Sequence, residues 1–290
     1  MTEARRLIVS DVDGTLLDPT KRISRGTRAA FQRARAQGVT YFALASSRMP
    51  ASLARIEMAL GVPCWKIAYD GVLVEGPANE PIVFELARGI NTDEAVRLLT
   101  EYPVVYVGAY AGDLWCCNAE SKWSAQEATN TEVSPSVTAD MLAALEERRD
   151  SIHKIMFRDS EVKIAALRSR LEASNLRSAR WFSNGPTIIE IVPSAANKAL
   201  ALDFLVTHLG IAPYQVTVFG DGANDIPMFD RFANSVAVEN AIPALKSLAR
   251  YSTNRGDEDG VAKFLSRAAQ PAQSKSRATR TIGDNTADPA

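Results

Sequence analysis

Histidine and cysteine are nearly absent. The 290 residues hold two histidines and three cysteines, Cys64, Cys116 and Cys117. An odd, small cysteine count in a chain of this length does not build a disulfide framework, and the adjacent pair is not a CxxC. All three read as reduced, small apolar residues in a reducing cytoplasm. His153 and His208 stand apart from each other and read as structural, so neither a soft zinc cluster nor a histidine-activated serine or cysteine is on offer. An excess of charge is missing too. Thirty-three Lys and Arg face 34 Asp and Glu, which gives a nucleic-acid partner no support. No apolar run nears the ~18 to 20 residues of a membrane span. The apolar stretch near the N-terminus, about four residues, is too short for a signal peptide. There is no GxxxxGK[ST], and "GDGAND" lacks the spacing of a dinucleotide loop.

What is present is an alternation of short apolar strands and helices. "LIVS" (7–10), "VTYFALAS" (39–46) and "WKIAY" (65–69) read as strands. Between them, Ser24 caps a helix that Gly38 closes, and Pro50 opens one that Gly61 ends. The last third repeats the pattern. Ser194 is placed to cap a helix from about 195 to Gly210. "QVTVFG" (215–220) and "SVAV" (235–238) are strands, with short helices at 224–232 and from Pro243. Such alternation implies parallel βαβ units, hence an α/β fold. The middle differs. Hairpin strands around Ala111-Gly112, strands at 153–157 and 187–192, and helices near 92–100, 138–149 and 160–174 suggest a mainly antiparallel sheet with helices on one face. The expected organisation is a discontinuous core, 1–83 and 189–268, with a second domain at 84–188 inserted. A polar tail at 269–290 reads as disordered.

In a parallel sheet, ligands bind beyond the carboxyl ends of the strands. Those ends carry Asp11 and Asp13, then Ser46, Ser47 and Arg48, then Asp70, then Asp221, Asn224 and Asp225, with Lys198 in the first turn of a nearby helix. Two carboxylates ~4 Å apart repel by about 4 kcal/mol at an effective dielectric constant of ~20. Three or four together call for a cation, and hard oxygen donors in a small cluster suit Mg²⁺. A calcium loop starting at Asp11 would need glycine at Leu16 and glutamate at Arg22, so that reading fails. A lysine near a helix start opposes the helix dipole unless an anion such as phosphate lies between them. Ser46 adds a hydroxyl donor, and Gly14 allows close backbone approach. One of the paired aspartates can attack phosphorus, and the other, two residues on, can protonate the leaving oxygen and later activate water.

The ordered set Asp11-Val-Asp13-Gly-Thr-Leu, Ala45-Ser46-Ser47-Arg48, Lys198 and Gly-Asp221-Gly-Ala-Asn224-Asp225 resembles the four motifs of the haloacid dehalogenase superfamily, in its Cof-like hydrolase branch, over roughly residues 6 to 268. The resemblance implies a Rossmann-like core with an inserted α+β cap that reads the leaving group. It makes Asp11 the nucleophile and Asp13 the general acid/base. Mg²⁺ would be held by Asp11, the main-chain carbonyl of Asp13, and Asp221. Gly14, Ser46 and Lys198 would bind phosphate; Asn224, Asp225, Arg48, Asp70 and Asn254 would support metal or substrate. Asp70 stands where asparagine is usual, which places a carboxylate near the substrate entrance and disfavours some anionic leaving groups. Ser47 stands for a usual glycine, as do Ala199 and Glu239. The implied activity is a phosphatase acting on a small phosphorylated metabolite, a sugar phosphate above all. A phosphomutase and a receiver-like or non-catalytic binding module are the alternatives. Tyr106, Tyr110, Trp115, Trp123, Arg158 and Trp181 are candidates to line the cap pocket. No nucleic-acid or membrane partner is expected, and no oligomeric state is assigned.

Overall fold

The computed structural model describes residues 5–37, 40–77, 82–85, 89–102, 106–145, 151–183 and 185–268. The expected glycine stop at Gly38 and the expected tail at 269–290 lie outside the described residues.

Two sheets organise the chain. The larger runs β14-β13-β12-β1-β2-β3-β4-β5. Its strands are β1 (Arg6–Ser10), β2 (Thr40–Ala45), β3 (Trp65–Ala68), β4 (Leu73–Glu75), β5 (Ile82–Glu85), β12 (Val216–Gly220), β13 (Asn234–Val238) and β14 (Tyr251–Thr253). From β14 to β3 every pairing is parallel, and β3-β4-β5 closes the edge as an antiparallel meander. The short "LVE" strand carries no strong period of its own, which is why the sequence pattern passes over it. Both faces of β1 are buried, as a parallel strand between helical layers requires. Leu7 and Val9 pack with Leu202, Leu205 and Met228, from α7 (Lys198–Leu209) and α8 (Ile226–Arg231). Ile8 packs on the other side with Phe31, Leu53 and Leu265, from α1 (Arg25–Ala36), α2 (Pro50–Leu60) and α10 (Gly260–Ala268). Each such side chain contributes about 1.5–3 kcal/mol when fully buried.

The smaller sheet runs β10-β11-β9-β6-β7-β8, using β6 (Tyr106–Ala111), β7 (Leu114–Cys117), β8 (Ser136–Val137), β9 (Lys154–Arg158), β10 (Ala179–Phe182) and β11 (Ile188–Pro193). All pairings but β7-β8 are antiparallel. One face packs Ile155, Phe157 and Ile189 against α3 (Thr92–Glu101), α5 (Met141–Leu145) and α6 (Glu161–Ala173). The other face, with Tyr106, Tyr110, Trp115 and Met156, joins the cluster that contains Tyr69 and Val72 of the larger sheet's loops. The expected division at 84 and 188 cuts through β5 and meets the first residue of β11. Pairing gives β5 to the larger sheet and β11 to the smaller.

Helix ends follow local chemistry. Ser24 accepts from Thr27 N at the start of α1, and Pro50 opens α2 before Gly61 ends it in the left-handed conformation. At α7 the structure corrects the sequence reading. The cap is Asn197, which accepts from Ala199 N. Ser194 instead donates its backbone N–H to Ser178 O, which ties it to the end of the β10-β11 hairpin. Both residues are good caps by type, and the tertiary bond decides between them. Lys198 becomes the first residue of α7.

Gly71 fixes that helix start against β3. Its φ is +99°, and a Cβ there would lie 2.9 Å from Lys198 N and closer still to the Asn197 carbonyl. Gly71→Ala is expected to lower stability by about 2–4 kcal/mol and to move Lys198. The midpoint of urea unfolding measures the loss; an unchanged midpoint would mean the two backbones are not held at this separation.

Candidate active site

The strand order β12-β1-β2-β3 brings four strand ends side by side. Asp11 follows β1, Ser46 follows β2, Asp70 follows β3 and Asp221 follows β12. Lys198 reaches in from α7. It is 1% exposed, and its Nζ donates to Asp11 Oδ1 and Asp225 Oδ1, each at 2.7 Å, with Asp70 Oδ1 at 3.9 Å. The helix-start lysine is therefore no solvated side chain. Burial pulls its pKa down, but Asp11, Asp225 and Asp70 outweigh that and hold it above the ordinary value.

Three carboxylates, from Asp11, Asp221 and Asp225, place one oxygen each within 4.8 Å of one another. Their roles differ. Asp225 is fully buried, accepts from Lys198 Nζ on Oδ1, and accepts from the N–H groups of Asp221 and Gly222 on Oδ2. It shapes the loop and orients the lysine. Asp221 accepts from Thr15 Oγ1 at 2.9 Å through Oδ1. Gly14, at φ +85°, clears space beside it, since a Cβ there would collide with the Asp221 carboxylate. Burial raises the Asp11 pKa well above its ordinary value, against Lys198, and Asp225 and Asp221 add to the rise. Burial raises Asp221 in the same way, against Thr15, with Asp225 again adding. Asp11, Asp70 and Asp225 share one lysine, and Asp221 adds a fourth carboxylate beside them. The donor set is all oxygen, negative and short of cations, which fits a hard divalent ion.

Asp13 sits outside this cluster. Arg48 grips it with two bonds, Nε to Oδ2 at 2.7 Å and a terminal nitrogen to Oδ1 at 2.8 Å, and Lys21 adds a third at 2.7 Å. Burial alone would raise the Asp13 pKa, but Arg48 and Lys21 hold it well below the usual carboxylate range. Arg48 also donates to Ser52 Oγ and to the carbonyl of Asn130, at 3.0 and 2.7 Å. Asn130 belongs to α4 (Lys122–Thr131), a helix of the inserted segment. Sequence reasoning did not foresee Lys21, Thr15, Asn197 or the Arg48–Asn130 link; the Thr15–Asp221 and Arg48–Asn130 contacts join segments far apart in the chain. Asn240 was missed as well: it donates to Gly14 O and accepts from Gly256 N.

Asp70 is tied to the cluster through Lys198 and Asn224. Asn224 donates to Asp70 Oδ1 at 2.9 Å. Asp70 is 1% exposed, with Oδ2 lacking a hydrogen-bond partner. It lies beside Lys198, not at an open entrance, so its charge is met from within. Asn254 follows β14, and no hydrogen bond joins its side chain to the carboxylate cluster among the described residues. Ser46 is buried; its backbone N–H donates to Ile67 O, and its Oγ accepts from Arg48 N.

On the face of the smaller sheet toward the site, Tyr110 stacks on Trp115, and Trp115 Nε1 donates to Tyr106. Trp181 is corrected: it pairs with Ile191 and packs against the opposite face, because alternation along β10 turns it away. Lys154, 3% exposed, pairs with Glu190 and donates to the carbonyl of Ser47. His153 is structural: Nδ1 accepts from Gly112 N and Nε2 meets Glu85. His208 packs edge-on to Trp65. The three thiols are buried and form no disulfide among the described residues. No helix among the described residues is long and apolar enough to cross a membrane.

Residues 8–265 match the family model described as haloacid dehalogenase-like hydrolase. The chain belongs to that family. The expected phosphatase-type hydrolase is borne out at this level. The Bacillus subtilis 5-amino-6-(5-phospho-D-ribitylamino)uracil phosphatase YitU is 27% identical over 266 residues, spanning 89% of this chain and 96% of its own. A haloacid dehalogenase-like hydrolase from Bacteroides thetaiotaomicron superposes with a TM-score of 0.80 at 26% identity, covering 91% of this chain and 99% of that one. TM0651 from Thermotoga maritima gives 0.79 at 25% identity, covering 92% and 98%.

Proposed function

We propose that this hydrolase is a Mg²⁺-dependent phosphatase of a small phosphorylated metabolite, in the sugar-phosphate class, working through an aspartyl phosphate on Asp11. The observation that carries this is the buried Asp11–Lys198–Asp225 bridge beside Asp221, at the carboxyl ends of parallel strands. Residues 1–83 and 189–268 form the catalytic core in this reading, and 84–188 form the cap. Asp11, Asp221 and the Asp13 main-chain carbonyl would hold the metal, with Asn224 and Asp225 behind them. When bound, the ion neutralises the clustered carboxylates and withdraws charge from the phosphoryl oxygens.

The residues of the chain do the rest. Asp11 attacks phosphorus as the ester oxygen departs, and Asp13 gives that oxygen a proton. Asp13 then takes a proton from water, whose oxygen attacks the phosphoryl group and frees Asp11. Lys198, the Ser46 hydroxyl and the backbone after Gly14 hold the phosphoryl oxygens. As paired with Arg48 and Lys21, Asp13 is ionised. Its acid step therefore needs that grip to loosen, and the Arg48–Asn130 bond ties the grip to the seam between core and cap. YitU and its substrate name support a phosphate ester on a sugar-like chain as the class to try first.

The test is release of inorganic phosphate from a panel of sugar phosphates with Mg²⁺, and its arrest by EDTA. Release that persists after metal removal overturns the metal-dependent reading. Isomerisation of the substrate with its phosphate retained points instead to a phosphomutase.

A further inference from the structure

Among the described residues five cationic side chains are buried: Arg48, Lys66, Lys154, Arg158 and Lys198. Four have carboxylate partners. Arg48 holds Asp13, Lys66 holds Glu57 and Glu75, Lys154 holds Glu190, and Lys198 holds Asp11 and Asp225. Arg158 is the exception. It is 9% exposed, its Nε has no hydrogen-bond partner, and no carboxylate among the described residues pairs with it. Its guanidinium lies 4.7 Å from the centroid of the Trp123 ring, and the ammonium of Lys122 lies 4.5 Å from the same centroid. Two cations thus share one indole. A ring face attracts a cation but satisfies none of the five N–H donors of a guanidinium.

The position of this pair is set by two rulers. Along β9, alternation puts Lys154, Met156 and Arg158 on the face toward the core. Lys154 touches the Ser47 carbonyl, beside Ser46. Four residues on, Arg158 lies roughly 13 Å further along the strand. Along α4, Trp123 and Asn130 are seven residues apart, about 10 Å. The Asn130 carbonyl is held by Arg48, which holds Asp13. Arg158 and Trp123 therefore mark the end of the inner face remote from the catalytic groups.

Resting on the phosphatase reading above, we propose that Arg158, with Lys122 and Trp123 beside it, binds an oxyanion at the end of the leaving group far from the ester. The preferred substrates are phosphate monoesters that carry a second negative group. The planar guanidinium fork suits a carboxylate or a phosphate in two-point contact. Asp70 does not oppose such a group, because its carboxylate is buried beside Lys198 and Asn224 at the other end of the site.

The experiment compares kcat/KM on glucose 6-phosphate with that on 6-phosphogluconate and on fructose 1,6-bisphosphate, in wild type, Arg158→Met and Arg158→Lys. Wild type is expected to prefer one or both of the doubly anionic esters, and which one identifies carboxylate or phosphate as the ligand. In Arg158→Met the ratio of anionic to neutral substrate should fall roughly 10- to 100-fold, mainly through KM, with Arg158→Lys between the two. Equal rates on all three esters in wild type overturn the proposal, as does a loss in Arg158→Met that is the same for each. Should Arg158→Met not fold, the wild-type comparison and Lys122→Gln still decide. If no ester is hydrolysed, the phosphatase reading fails separately. Calorimetric binding of 6-phosphogluconate and fructose 1,6-bisphosphate then tests the site directly, and absence of binding overturns it.

Discussion

Asp11→Asn is expected to abolish phosphate release and, in the absence of metal, to make the protein more stable. The first effect follows from losing the attacking oxygen. Removal of a covalent nucleophile costs on the order of 10⁴–10⁶ in kcat, and an amide does not replace it. The second follows from the electrostatics. Burial, Asp225 and Asp221 raise the Asp11 pKa in the folded chain. A carboxyl whose folded pKa lies above its unfolded one holds its proton longer when folded. Stability then falls as pH rises from the unfolded value through the folded one, and the deficit persists above it. Each unit of that rise is worth about 1.4 kcal/mol. Asparagine removes the charge and keeps an oxygen for Lys198. In EDTA the melting temperature of Asp11→Asn should therefore exceed that of wild type above about pH 5. With Mg²⁺ the order should narrow or reverse, because wild type gains the ion's binding energy and the variant gains less. A variant less stable than wild type in EDTA would mean that Asp11 is held mainly by Lys198 and not crowded by its neighbours.

Much of this site was legible because its parts sit where backbone rules place them. Asp11 and Asp221 follow apolar strands, and strand ends face one side of a parallel sheet. Lys198 stood out because a lysine at a helix start has no local reason to be there. What stayed hidden was set by partners across the fold. Nothing near Arg48 in the chain announces that it grips Asp13 and the far end of α4 at once. Helix α4 itself, "KWSAQEATNT", has too few apolar residues to show a helical period. Trp181 is a pocket candidate by type, and only the register of β10 on β11 shows that it faces the other way. Ser194 reads as the cap of α7 until it is seen bound to Ser178, and Asn197 takes that role instead.

Lys198→Met should damage both fold and activity. Methionine keeps the unbranched stem short of the terminal nitrogen, so the loss is mainly electrostatic. It leaves Asp11, Asp70 and Asp225 facing one another with no cation among them. Removing one partner of a buried ion pair typically costs about 3–5 kcal/mol. The same change removes a donor aimed at the phosphoryl oxygens, which costs on the order of 10²–10³ in kcat. The pH dependence separates the causes. Lys198 has a raised pKa, so its contribution is fully present below the unfolded lysine value of about 10.4 and is lost only as pH rises through a still higher folded one. Between pH 5 and 8 the lysine does not titrate, and any change in the gap between wild type and variant must come from the carboxylates. Without the lysine the folded pKa of Asp11 rises further, so the variant takes up protons earlier as the solution is acidified. Urea midpoints in EDTA should therefore differ most near pH 8 and converge toward pH 5. A gap that stays constant across this range would assign the loss to packing of the side chain and not to its charge. Lys198→Arg should not restore the wild-type midpoint, because a planar guanidinium needs more room than a fully buried ammonium between two carboxylates leaves it.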